Sequence, residues 1–197
     1  MSRPTMIMLA GPNGAGKSTF YELVIRPRIK ALFINADLIQ REELGDPSMA
    51  AAYRAAAIAE SRRRQALEKG ISFVSESTFS HESKLALIRD AQAAGFRVVV
   101  YHINVRRVEL SVSRVGQRVD EGGHDVPEDK IRERFERNQP LIREAVLLAD
   151  HAFVYDNSGL NMPARRLIAF TKGQVIAASE DLPDWARALY GPELGLA

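Results

Sequence analysis

Cysteine is missing from the 197-residue chain, so neither a disulfide framework nor a thiol nucleophile can be part of its chemistry. Long apolar runs are missing too. Hydrophobic residues make up 46% of the sequence, yet no stretch approaches the ~20 apolar residues that span a bilayer. Met1-Ser2-Arg3-Pro4 leads into a short apolar run without a signal-type region, so a cytoplasmic protein with no membrane partner is expected. Neither sign of charge is in marked excess, the net being +2. The clusters Arg62-Arg63-Arg64 and Arg106-Arg107 lack interleaved aromatics and read as solvated helix faces, so no nucleic-acid partner is expected. The 4 histidines form no H-E-x-x-H or other dense ligand pattern. There is no repeat or low-complexity segment, and the length suits a single domain over residues 1–197.

What is present is concentrated in Gly11-Pro12-Asn13-Gly14-Ala15-Gly16-Lys17-Ser18, which fits G-x-x-x-x-G-K-[ST] at every fixed position. The apolar run Met6–Ala10 before it reads as a buried strand, and the residues from Lys17 onward read as a helix. In that setting the glycines let main-chain N–H groups turn inward, and the helix N-terminus adds partial positive charge where phosphates would sit. Lys17 is placed to reach β- and γ-phosphate oxygens and Ser18 to hold Mg²⁺, with Thr19 following in the cradle. ATP or GTP with Mg²⁺ is the ligand such a loop is built for.

Along the chain, Thr19–Ile29 reads as the first helix, broken near Pro27, and Leu32–Ala36 as a second buried strand. Asp37 follows that strand. Parallel sheets bind ligands beyond the carboxyl ends of their strands, so Asp37 stands near the phosphates or else caps the next helix. Asp46-Pro47 reads as an N-cap and first-turn proline for an alanine-rich helix running to Gly70. The spacing of Tyr53, Ala56, Glu60 and Leu67 places Glu60 on an apolar face, away from the three arginines, pointing into a cleft or reaching water at the edge of the stripe. Ile71–Ser75 reads as a third strand with Glu76-Ser77-Thr78 at its end. There Glu76 is either a Walker-B type acid that orients Mg²⁺ or a turn residue. Arg97–Asn104 is a fourth strand in which His102 alternates with apolar neighbours and reads as packed.

Val105–Glu121 is helical, with Val108, Val112, Val115 and Val119 as a core stripe. Arg114 and Arg118 lie one turn apart on its flank, spaced to hold two phosphate groups with planar forks. Gly122-Gly123 then interrupts, and a second helix opens at Pro127. There Glu128 with Arg132 and Glu133 with Arg137 are spaced as surface pairs, which leaves Arg134 for a ligand. This helical pair, about residues 105–139, reads as a lid that closes over substrate or as a solvated hairpin. Pro140 kinks or breaks the second arm, and Leu141–Ala149 continues helical. A fifth strand runs from His151 to Tyr155. Arg166–Phe170 and Val175–Ser179 form a hairpin around Thr171-Lys172-Gly173-Gln174, and Pro183 opens a last helix anchored by Trp185 and Tyr190. The predicted fold is α/β with three α/β/α layers, a mainly parallel five-stranded sheet, a helical lid, and a C-terminal hairpin plus helix at about 160–190.

With the phosphate cradle, Asn35-Ala36-Asp37, Glu76-Ser77-Thr78 and the Arg114-to-Pro127 segment in view, the chain resembles the zeta-toxin family of P-loop kinases over most of residues 5–157. The resemblance implies a P-loop kinase fold and transfer of a phosphoryl group from ATP or GTP, with Mg²⁺, to the 3′-hydroxyl of UDP-N-acetylglucosamine. It implies Lys17 and Ser18 as phosphate-loop residues and Asp37 as the acid that takes the hydroxyl proton. Glu60 and Glu76 keep the spacing of two further acidic positions, Thr78 matches a sugar-nucleotide contact, and Arg114 a phosphate-binding arginine. The family's second arginine falls near His124, leaving that role to Arg118 or Arg134. It also implies an antitoxin-like protein as a partner. In-line transfer positioned by these groups is the mechanism expected. The competing class is an ATP-driven switch without a small-molecule acceptor, which would have no use for an acid at position 37.

Overall fold

The computed structural model describes residues 3–120, 127–160 and 162–196, with side chains 118–120 excepted. Its centre is a 7-stranded sheet in the order β2-β3-β1-β4-β5-β6-β7. Strands β1 (Thr5–Ala10), β2 (Leu32–Ile34), β3 (Phe73–Ser77), β4 (Arg97–Asn104) and β5 (His151–Asp156) run parallel. The hairpin of β6 (Arg165–Thr171) and β7 (Gln174–Ala178) adds to β5 antiparallel, extending the expected five-stranded sheet by two.

The central strand reads as an uninterrupted apolar run because both of its faces are covered. Met6, Met8 and Ala10 face helices α3 (Met49–Glu68), α4 (Ser83–Ala93), α7 (Gln139–Leu148) and α8 (Asp184–Leu194). Ile7 and Leu9 face Phe20, Tyr21 and Ile25 on α1 (Lys17–Phe20) and the wider helical turn that continues it (Tyr21–Ile25). The remaining helices are α2 (Ala36–Leu38), continued to Leu44, α5 (Val108–Asp120) and α6 (Glu128–Arg137).

Several expectations shift for local reasons. Helix α3 is capped by Ser48, whose Oγ accepts from Ala51 N at 3.2 Å, while Asp46 accepts from Ser48 N and so shapes the turn before the helix. The buried stripe of α3 is Ala51, Ala55, Ala59 and Ala66, and Tyr53 is 74% exposed. Small side chains allow this helix to lie close on the sheet, where a tyrosine would not fit. Arg63 is buried, contrary to the solvated face expected for the arginine triplet. Glu60 does not stand apart from the arginines. It pairs with Arg63 and Arg64, three and four residues on. Strand β3 begins at Phe73 instead of Ile71, because Gly70 at φ +61° ends α3 with Ile71 N donating to Ala66 O. Pro140 sits in the first turn of α7, where its missing N–H is not needed, and the chain breaks before it at Asn138. His102 is fully buried, as expected, with Nδ1 2.8 Å from the Tyr190 hydroxyl and its ring against Trp185.

Candidate functional site

The carboxyl ends of β1, β2 and β3 open into a cleft of about 710 Å³ between the phosphate loop, α3, the start of α4 and the arginine-bearing helices α5 and α6. Asn13, Gly14, Gly16, Lys17, Ser18 and Thr19 form one end. The loop is held from behind. Gly14 packs so close to α5 that a Cβ there would lie 2.5 Å from Ser111 O, and a Cβ on Gly16 would lie 2.3 Å from Asn157 Nδ2. Both glycines have positive φ, +70° and +86°, so glycine is required twice over, by conformation and by space. Gly11 and Pro12 are buried at the loop's entry and Ala15 at its turn, where Ala15 N donates to Pro12 O. Asn157, which follows β5, donates its side-chain amide to Ala15 O at 2.8 Å and its backbone N–H to Asn104 O.

Lys17 is 5% exposed, donating Nζ to Gly11 O and Pro12 O with Glu76 at 3.8 Å. Glu76 is the convergence point of this end, for its Oε2 accepts from Ser18 Oγ at 2.9 Å and from Asn35 Nδ2 at 2.8 Å. A hydroxyl and a carboxylate held together beside a phosphate loop are the hard-oxygen pair that Mg²⁺ takes, with the rest of its octahedron left to water and phosphate. Among the described residues there is no group of three or more His, Cys, Asp or Glu side chains that could hold a metal ion. The donor set therefore fits Mg²⁺ held by Ser18 and Glu76.

Asp37 is not the cap of its helix. Asn35 fills that role, its Oδ1 accepting from Asp37 N and Leu38 N. The same asparagine thus fixes Glu76 through its nitrogen and aims α2 through its oxygen. The Asp37 carboxylate, exposed and lining the cleft, has no hydrogen bond or ion pair with another described residue. Its lone pairs are left for a ligand.

Glu60, Arg63, Ser77, Thr78 and Lys84 form the far wall. Burial alone would raise the Glu60 carboxyl, but the hydrogen bond from Arg63 and the charges of Arg63 and Lys84 outweigh it and hold the group below its ordinary value. Thr78 lies on a loop set by Phe79, a fully buried residue with φ +56°. That strained conformation is held by Phe79 N donating to Ser77 Oγ and by Asn138 Nδ2 donating to Thr78 O at 2.7 Å. Arg63, Lys84, Asn138 and Asn157 are site residues the sequence reading did not single out.

Of the arginines, Arg114 and Arg134 line the cleft. Arg114 is anchored by donating to Asn157 O at 2.9 Å and Gly159 O at 3.3 Å, while Arg134 forms no ion pair among the described residues, as its sequence position implied. Arg132 and Arg137 pair with Glu128 and Glu133. The Arg118 side chain and His124 lie outside the described residues. Since Ser111 abuts Gly14, the start of α5 belongs to the wall of the phosphate loop.

The family model for zeta toxin matches residues 1–163. A protein of Haemophilus influenzae, described only as uncharacterized, is 32% identical over an alignment of 136 residues that covers 66% of this chain and 91% of that protein. The AvrRxo1-ORF1:ORF2 complex crystallised with ATP contains a similar chain (TM-score 0.72, 17% identity) that aligns with 99% of this one, although this chain covers only 66% of its length. The PezAT chromosomal toxin–antitoxin system of Streptococcus pneumoniae gives a TM-score of 0.63 at 17% identity over 100% of this chain and 81% of that one. A putative kinase from Chloroflexus aurantiacus gives 0.55 at 17% identity over 70% and 80%. At such identities the structural likeness speaks for the fold, which is that of the P-loop kinases. Taken with a family model that spans most of the sequence, it leads to one conclusion: the chain belongs to the zeta toxin family.

Proposed function

We propose that the protein is a phosphotransferase that moves the γ-phosphoryl group of ATP or GTP onto a hydroxyl of a small molecule, with a UDP-amino sugar such as UDP-N-acetylglucosamine as acceptor. The observation that carries this reading is Asp37, an uncommitted carboxylate in the same cleft as the Lys17, Ser18 and Glu76 cluster. An ATP-driven switch would need the second group of residues and have no task for the first.

In this reading the loop N–H groups and Lys17 hold the donor phosphates, and Arg114 and Arg134 offset charge on the equatorial oxygens as the group moves. Bound at Ser18 and Glu76, Mg²⁺ supplies charge neutralisation. Asp37 accepts the proton of the acceptor hydroxyl while its oxygen bonds to the γ-phosphorus and the bond from that phosphorus to the β,γ-bridging oxygen breaks. Glu60 and Thr78 orient the acceptor. The pair α5 and α6 acts as a lid over the cleft, excluding water from it. The relatives that occur in toxin–antitoxin complexes support an antitoxin-like protein as a partner of this chain. The test is incubation with ATP, Mg²⁺ and UDP-N-acetylglucosamine, followed by mass spectrometry. A product heavier by one phosphoryl group, lost in Asp37→Asn, is expected. ATP binding with no phosphorylated product from a panel of sugar nucleotides and small hydroxyl metabolites would replace this reading with the switch.

A further inference from the structure

The far wall of the cleft carries more positive charge than its own contacts use. Glu60 has three cations within 4 Å: Arg63 at 2.8 Å, Arg64 at 3.4 Å and Lys84 at 3.8 Å. Arg63 accounts for Glu60 by itself, with a short hydrogen bond in a site where its guanidinium is almost fully buried and also reaches Ser75 Oγ at 3.5 Å. Arg64 is 72% exposed and turned to solvent. Lys84 is different. Its side chain is only 23% exposed, it lines the cleft, and 3.8 Å to Glu60 Oε2 is a Coulombic contact beyond hydrogen-bond reach. Its three N–H donors make no hydrogen bond to any described residue. A largely desolvated ammonium that donates no hydrogen bond to a described residue is a costly arrangement when it serves structure alone.

We propose that Lys84 is the acceptor-recognition residue of this cleft: its ammonium receives a phosphate group of the acceptor, and Arg63 is a positioning residue that ties back Glu60 so that Lys84 stays uncommitted. The inference rests on the phosphotransferase reading and names the residue of this chain that meets a phosphate of the acceptor, distinct from the hydroxyl that reacts. Three features favour that ligand. Lys84 stands in the first turn of α4, where the helix dipole adds to its charge. Burial, and next the neighbouring Arg63 charge, press the Lys84 ammonium toward losing its proton, so a bound anion relieves an existing tension. Arg134 lines the same cleft without an ion pair among the described residues, which adds to the positive field that draws an anion there. A compact ammonium suits phosphate as a point charge, without the bidentate geometry that arginine imposes.

The decisive experiment separates the two ends of the cleft. Wild type and Lys84→Met are each saturated with a non-hydrolysable ATP analogue and Mg²⁺, which fills the phosphate-loop end, and are then titrated calorimetrically with UDP and with uridine. Wild type is expected to bind UDP at least about tenfold more tightly than uridine, the scale of one charge-assisted contact. Lys84→Met should erase that preference without weakening uridine binding, and Lys84→Arg should keep part of it. Thermal unfolding of Lys84→Met should stay close to wild type, because no hydrogen bond is lost and removing a desolvated charge offsets the lost Coulombic contact with Glu60. If wild type does not prefer UDP, or if Lys84→Met prefers it equally, Lys84 is not the recognition residue. A clear drop in unfolding temperature for Lys84→Met with the UDP preference intact assigns Lys84 to structure and overturns the proposal. Failure of the ATP analogue itself to bind would sink the phosphotransferase reading, and this inference with it.

Discussion

The two ends of the cleft are built from different materials. One is main chain from a single stretch, Gly11–Ser18, tightened until three of its positions, Gly11, Gly14 and Gly16, have no room for a Cβ. The other is side chain: Asp37 from α2, Glu60 and Arg63 from α3, Thr78 from the loop after β3, Lys84 from α4 and Arg134 from α6. Main-chain donors cannot be changed by substitution, so the first end is committed to phosphate whatever else varies. At the second end every contact can be replaced singly, so under the proposed function it is this end that sets the choice of acceptor.

This contrast is open to direct attack, the largest effect first. Lys17→Ala removes the cationic side chain of the first end. Turnover should fall about 10³-fold, the upper range for losing one electrostatic contact to a transferring group. The variant should stay folded, since the loop is braced separately by Asn157 and Ser111. Near-normal turnover in a folded Lys17→Ala protein would mean that the loop does not hold the donor. Asp37→Asn attacks the other end. It keeps size and shape and leaves the cap with Asn35, so ATP affinity should be unchanged while transfer falls about 10²-fold. Titration and mass spectrometry on one preparation read both quantities. Lost affinity with unchanged transfer per bound ATP would move Asp37 to the donor end.

The same contrast explains what the sequence made legible. The phosphate loop is contiguous, so eight neighbouring residues carry its whole signal. Asp37 and Glu76 were within reach because parallel strands deliver their carboxyl-terminal residues to one edge. Arg63 was not. At 100° per residue three consecutive helical arginines span only about 200° of the helix, so whether one turns inward, and which, depends on where α3 meets β3, a contact between distant segments. Lys84 is a first-turn lysine like many others, and only burial against Glu60 distinguishes it. Asn138 and Asn157 act across 60 and 142 residues of sequence, and no local pattern reports such a distance. The start of α3 was misplaced for a smaller reason: Asp46 and Ser48 both satisfy capping preferences, and the structure uses the first to position the second.

Acid should separate the two ends by stability. His102, on the strand beside β1, is pushed down to about 3 by burial and, to a lesser degree, by the Lys17 charge. Folded protein therefore keeps this imidazole neutral where an unfolded chain, with an ordinary value of 6.5, takes up a proton. The stabilisation is complete above pH 6.5 and is lost progressively as pH falls toward 3. At pH 5 the loss should be roughly 2 kcal/mol, from about 1.4 kcal/mol per unit. At the far wall, Glu60 is held below its ordinary 4.5, so its contribution persists until the pH drops under that value. Between pH 6.5 and 4.5 the His102 side alone should weaken. Urea midpoints at pH 7.5 and 5 should differ more for wild type than for His102→Gln, and equal differences would remove His102 from the account.

The smallest effects give the finest test, because two asparagines do the same work at opposite ends. Asn157 Nδ2 donates to Ala15 O at 2.8 Å beneath the phosphate loop, and Asn138 Nδ2 donates to Thr78 O at 2.7 Å and Ser80 Oγ at 3.2 Å beneath the far wall. Each alanine substitution leaves a carbonyl to find water, which should cost about 1–2 kcal/mol of stability, with Asn138→Ala at the upper end because it also removes the bond to Ser80 Oγ. Their functional effects should diverge. Asn157→Ala frees the turn at Ala15 and Gly16, so the Kd for ATP should rise about fivefold, the equivalent of about 1 kcal/mol, with the acceptor KM unchanged. Asn138→Ala releases the strained Phe79 loop that presents Thr78, so the acceptor KM should rise by a similar factor with ATP affinity intact. Lys84 lies five residues beyond Phe79 on the same segment, so part of that rise should vanish in a Lys84→Met background, as expected for two changes acting through one loop. If both asparagine variants shift both constants alike, the cleft behaves as one mechanical unit and the division between its ends has no functional meaning.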